Sequence, residues 1–218
     1  MTAVHQEELM HLFTRVNTVN PERTLEAIAF SLDIAAYVNE TTDLELGVWS
    51  AVYGAPLGTI SWTTRVDSQA AMGAAGDKLE ADAKYQAKIA DAAGLFTGLP
   101  EDQLTEFIGF AGSGTGAGQY ATVTMAQCAP GKIAEAMAWG VDMMNLVQKV
   151  TGMDSSVGRA VYGPFATMGW ITLAPDLAAV DAAGEAIGGD PTYIERLDQG
   201  GELFTQGSAS SRLLRRLN

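Results

Sequence analysis

The chain has 218 residues, 47% of them hydrophobic and 18% charged, with 26 acidic against 13 basic side chains and a formal net charge of −13. That length suits one or two domains with cores of their own, and the composition is that of an ordinary globular protein. An acidic body repels phosphate backbones, which argues against nucleic acid as a partner. The lone cysteine, Cys128, excludes an internal disulfide and fits a cytoplasmic location, and no run reaches the ~18 apolar residues of a membrane span.

At the N-terminus His5, Glu7 and Glu8 precede any apolar run, unlike a signal peptide. Residues 11–19 (HLFTRVNTV) alternate and are rich in β-formers, which predicts a strand. Asn20-Pro21-Glu22 then opens a helix over 22–39, in which Leu25, Ile28, Leu32 and Ala35 keep helical spacing. Strands over 44–53 and 59–66 flank Gly54-Ala55-Pro56-Leu57-Gly58, whose turn chemistry predicts a hairpin. Residues 68–92 read as helical and 104–110 as a last strand, which completes β-α-β-β-α-β, the ferredoxin-like unit. The second half predicts the same order. It has a strand over 120–127, a helix over 131–150 and a hairpin across 157–174. A helical region broken at Gly188-Gly189 restarts at Pro191, and a strand follows over 212–217.

The repetition extends to identities. Ala51-Val52-Tyr53-Gly54 recurs as Ala160-Val161-Tyr162-Gly163, and Leu95-Phe96-Thr97 as Leu203-Phe204-Thr205. Trp62, Asp82 and Tyr85 match Trp170, Asp190 and Tyr193, at an offset of 109 before the hairpin and 108 after it. A period of half the chain is too long for a solenoid and describes one small domain duplicated and fused. The boundaries are a first repeat over 1–111, a Gly-rich linker over 112–118 (GSGTGAG in 112–118) and a second repeat over 119–218. The linker precedes a strand, whereas a phosphate-binding loop follows a strand and opens a helix.

Two fused α+β units of this kind resemble a tandem-duplicated member of the dimeric α+β barrel superfamily. The resemblance rests on each half's closing pattern: a strand ending in Trp62 or Trp170, a helical stretch with Asp82…Tyr85 or Asp190-Pro191-Thr192-Tyr193, then Leu-Phe-Thr and a last strand. It implies an intramolecular barrel whose two sheets pack face to face with helices outside. The superfamily includes cofactor-independent monooxygenases, haem enzymes, lactone isomerases, polyketide cyclases and members without activity, so fold alone does not choose a function.

The first strands of the two halves differ. His11, Phe13, Arg15 and Asn17 share one face by the strand period of two, where the second half has Tyr120, Thr122, Thr124 and Ala126. His11, Arg15 and Asn17 are therefore the catalytic candidates, with His11 suited to proton transfer near neutral pH. Trp49, Tyr53 and Trp62 are the ligand-binding candidates, forming an aromatic pocket for a planar, oxygenated ligand. The bland alternatives stand beside them. Aromatic residues kept in both halves suit core packing, Arg15 suits an ion pair, and nothing adjacent to His11 completes a catalytic constellation.

No metal site is expected. Glu26 with Asp33 and Glu135 with Asp142 repeat on helix faces, but histidine partners at helical spacing are absent. No cofactor is expected either: an axial histidine for haem could come only from His5 or His11. Cys128 reads as a structural thiol, the methionines of the second half as core filling, and Arg212, Arg215 and Arg216 as a strand end or helix-dipole partner in preference to a binding patch.

Together these readings predict a small-molecule-binding protein for an apolar or aromatic ligand, with its site between sheet and helices, mainly in the first repeat. Cofactor-independent monooxygenase or isomerase chemistry is the activity in view, and the sequence leaves enzymatic activity open. The alternative is a non-catalytic assembly or protein-interaction protein that uses the barrel as a rigid scaffold and forms homo-oligomers. The two differ in whether a cavity of a few hundred Å3 exists beside His11 or the interior is packed solid.

Overall fold

The computed structural model describes residues 10–113 and 118–218. The linker reading therefore falls partly, and the reading of His5, Glu7 and Glu8 wholly, outside the described residues. The first half contains β1 (His11–Val19), a 3-10 turn at Pro21–Arg23, α1 (Thr24–Thr41), β2 (Gly47–Tyr53), β3 (Thr59–Val66), α2 (Gln69–Glu80), α3 (Ala83–Asp91) and β4 (Phe96–Ala111). The second contains β5 (Tyr120–Gln127), α4 (Ile133–Thr151), β6 (Ser155–Tyr162), β7 (Thr167–Ala174), α5 (Leu177–Gly189), α6 (Pro191–Gln199) and β8 (Ser210–Arg216).

Local chemistry explains the breaks. The helical stretch after β3 is two helices because Asp82 caps α3, accepting the backbone N–H groups of Lys84 and Tyr85. Asp190 does the same for Tyr193 at the start of α6. The matched Asp…Tyr pairs of the two halves are thus helix caps. Ser68 and Asp176 cap the preceding helices, α2 and α5, in the same way.

The strands close into one antiparallel ring in the order β1-β3-β2-β8-β5-β7-β6-β4. Each half supplies four consecutive staves, and two hydrogen-bonded seams, β2–β8 and β4–β6, join them. The intramolecular α+β barrel predicted from the sequence is therefore present. Its sheets do more than face each other: their edges pair, so the ring has no open edge strand.

The apolar core lies outside the ring, under the helices. Ala27, Ile34 and Ala35 of α1 pack on Val48, Ile60 and Trp62, while Ala136 and Met144 of α4 pack on Val157, Met168 and Cys128. The two halves repeat one aromatic device. Trp62 Nε1 donates to the Ser31 carbonyl at 3.2 Å, and Trp170 Nε1 to the Gly140 carbonyl at 3.0 Å. Trp62 meets Phe96 edge-on at 5.7 Å, as Trp170 meets Phe204. Buried indole N–H groups need such a partner, which fixes both the helix height and the ring plane. No described helix is long and apolar enough to cross a membrane.

Candidate functional site: the barrel interior

Alternation sends every second strand residue inward, and the inward set mixes short hydroxyl and glycine positions with larger apolar side chains such as Leu12, Trp49, Phe107 and Met125. Thr14 of β1, Ser61 and Thr63 of β3, Thr105 of β4, Ser156 of β6 and Gly169 of β7 all line a cavity of about 1200 Å3. Short side chains cannot fill an eight-stranded ring, so the space stays open. The lining continues past the strand ends to residues 42–46, to Ala71, Ala74 and Lys78 of α2, and to Asn218, which gives the cavity a mouth at that end. The two sheets expected to pack face to face thus enclose a space: the outer faces carry the core and the inner faces line a chamber.

Two arginines of β8 bring charge into this lining. Arg212 and Arg216 both line the cavity, and the Nε of each is buried with no hydrogen-bond partner. Arg216 lies over the Trp49 ring, 5.7 Å from its centroid, and Trp49 Nε1 donates to Thr63 Oγ1 at 2.9 Å. The equivalent position across the ring has the opposite character. Trp49 pairs with Arg216 at one seam, and Gly158 pairs with Phe107 at the other. A Cβ at Gly158 would lie 2.5 Å from Thr105 and 2.8 Å from the Glu106 carbonyl, so no counterpart of Trp49 fits there. The sequence reading of Arg212 and Arg216 as a strand end holds, since Arg216 closes β8, and the placement adds that both line the cavity. The signal that could have exposed them is the alternation Arg212, Leu214, Arg216 in a strand of a closed ring.

The candidates read from the sequence divide between the two faces. His11, Phe13, Arg15 and Asn17 do share a face, and Trp62 joins them as the cross-strand partner of Arg15. That face is the outer one, whereas Trp49 faces the cavity. Tyr53 is 71% exposed at the far rim, beyond a register shift between Ala51 and Tyr53, so it does not extend the Trp49 surface. The single aromatic pocket of Trp49, Tyr53 and Trp62 is therefore corrected: the structure does not bring the three together.

On the outer face, Arg15 makes a two-pronged contact with Asp102, Nε and Nη2 each at 2.7 Å from a carboxylate oxygen. That hydrogen bonding raises the Arg15 pKa above its already high ordinary value and spends its charge on a neighbour. His11 is buried and its Nδ1 has no partner; Asn17 Oδ1 is in the same condition. Six residues of strand, ~20 Å, separate them, too far for both to touch one reacting atom. Three of the four matched helix acids are engaged with cations: Glu26 with Arg23, Asp33 with Lys88 and Glu135 with Lys132. Cys128 is buried, and desolvation pushes its thiol pKa up, away from the reactive thiolate.

No family model and no curated protein matches the chain. Solved structures do resemble it along nearly its whole length. A "putative monooxygenase" from Fusobacterium nucleatum is 10% identical, with a TM-score of 0.76 over 98% of this chain and 94% of that one. A "putative monooxygenase" from Lactobacillus acidophilus is 10% identical, with a TM-score of 0.67 over 96% and 94%. An "anthrone oxidase-like protein" is 13% identical, with a TM-score of 0.69 over 98% and 93%. At such identities the likeness concerns fold, and the fold shared is the dimeric α+β barrel.

Proposed function

We propose that this dimeric α+β barrel chain binds an apolar or aromatic small molecule inside its ring. The observation that carries the reading is the cavity of about 1200 Å3, which holds Trp49, Phe107 and Met125 beside scattered hydroxyls. Ligand sites combine such apolar surface with a few convergent polar groups. The name "putative monooxygenase" carried by two of the similar structures supports oxygenation of the bound molecule as the chemistry, cofactor-independent in this proposal; isomerisation is the other reaction this reading admits. On the outer face His11 alone, with its unpartnered buried Nδ1, remains a proposed proton-transfer group, since Arg15 is committed to Asp102 and Asn17 lies too far along the strand to share its reacting atom.

Native mass spectrometry of freshly purified protein tests the binding reading. A retained adduct of a few hundred daltons is expected in the wild type and lost in Gly169→Phe. A Cβ at Gly169 meets nothing closer than 3.9 Å, so the added ring enters the cavity without a backbone clash. An adduct-free wild type that also takes up neither an aromatic acid nor its amide would overturn the proposal.

A second reading, self-association of two copies, is favoured by exposed apolar residues at the rim opposite the mouth. Tyr53 and Leu57 of one hairpin and Tyr162 and Phe165 of its counterpart are 71%, 98%, 59% and 82% exposed. The same mass spectra decide it, since a monomer mass at micromolar concentration would remove this reading.

A further inference from the structure

We infer that the cavity is selective for organic anions: molecules with an apolar or aromatic body and a carboxylate-type group, held by Arg216 with Arg212 as a second cation. This rests on the proposed binding role of the barrel and adds the chemical class of the ligand. Three observations carry it.

The first is charge placement. The protein carries a formal net charge of −13, yet no aspartate or glutamate on a described strand lines the cavity. The acids of the lining, Asp43, Glu45, Asp67 and Asp154, lie beyond the strand ends. With acids so abundant, two arginines facing inward without one of them is a distinct feature of β8. An interior cation without a counter-charge costs stability unless something else supplies the negative charge.

The second is the unmet hydrogen bonding. Both Nε atoms are buried and without an acceptor. A guanidinium presents its donors as a planar fork that matches the two oxygens of a carboxylate. The third is preorganisation. Trp49 is pinned by its bond to Thr63 and offers its face to Arg216, which holds the guanidinium before any ligand arrives. Arg212 lies four residues along β8, ~13 Å away, with Leu214 between them. β4 stands opposite β8 in the ring, and its inward Phe107 and Gln103 give the ligand body an apolar ring and an amide to meet.

Calorimetric titration with 2-naphthoate and with 2-naphthamide, its uncharged isostere, tests the inference. The wild type should bind the carboxylate at least about tenfold more tightly than the amide, and Arg216→Gln should erase that preference while leaving amide binding in place. Arg216→Lys, which keeps the charge but not the fork, should restore part of it. Arg212→Gln should weaken carboxylate binding less than Arg216→Gln does. Equal affinity of the wild type for acid and amide would overturn anion selectivity and leave the barrel a binding cavity. Binding of neither, with no retained adduct, would remove the underlying reading as well. The wild-type comparison decides the question even where a variant fails to fold.

Discussion

Trp49 and Arg216 are cross-strand partners from opposite halves of the chain, and their stacked side chains stand inside the ring at the β2–β8 seam. The contact therefore belongs both to the wall of the cavity and to the junction of the halves. Trp49→Phe keeps an aromatic face over Arg216 but gives up the bond to Thr63. A loss of about 1 kcal/mol is expected, the usual net worth of one such hydrogen bond. Urea unfolding measures it, and an unchanged midpoint would show that the bond holds nothing together.

Trp62 and Trp170 occupy equivalent places under α1 and α4. Either one changed to Ala leaves a large void and removes the indole bond to a helix carbonyl, so each should cost about 3–5 kcal/mol. Their clusters share no residue, so the double variant should show the sum of the two losses to within about 0.5 kcal/mol. Denaturant midpoints of the three variants provide the check.

Arg15 tests which face of the sheet is functional. Its pair with Asp102 is about half exposed, with side-chain exposures of 42% and 45%, so Arg15→Ala should cost less than about 1 kcal/mol. Because it lies outside the ring, the variant should bind 2-naphthoate as the wild type does. Loss of binding or turnover with an unchanged melting temperature would move the site to the outer face.

Asp82 makes the stability respond to acid. Its carboxylate accepts from the Tyr37 hydroxyl at 2.6 Å and from the α3 backbone, which holds its pKa below the ordinary carboxylate value. A group lowered on folding stabilises the folded state above its unfolded pKa, near ~4, and that contribution disappears as pH falls through the folded value. Asp82→Asn keeps a cap acceptor without the charge. Its stability deficit relative to wild type should therefore be present at pH 7 and narrow at pH 3. A constant gap at both pH values would contradict the assignment.

The strand alternation of residues 11–19 was legible, as was the sharing of a face by His11, Arg15 and Asn17. That this face looks toward the helices was read as well; that the open space lies on the opposite face was not, because the period of two does not say which side of a barrel strand is packed. Tyr53 escaped because a register shift after Ala51 takes it out of phase with Trp49. The early part of β4 was hidden by Gly98, Pro100, Glu101 and Asp102, residues poor in strand propensity that pair only along an exposed rim. The cap at Asp190 announces itself through Pro191, whereas Asp82 has no proline after it, so its two helices read as one. The inward arginines required ring closure to be known first.

Closure has a mechanical consequence for the chain. The half-barrels meet along two ladders, β2 with β8 and β4 with β6, so neither can leave its mate without breaking both at once. Separated, each would expose two raw edge strands and the whole of its inner wall, apolar residues included. Two similar modules of sequence thus make one indivisible unit of unfolding, and a chain cut within the connection between β4 and β5 should hold together as a tight pair of fragments, each unable to persist alone.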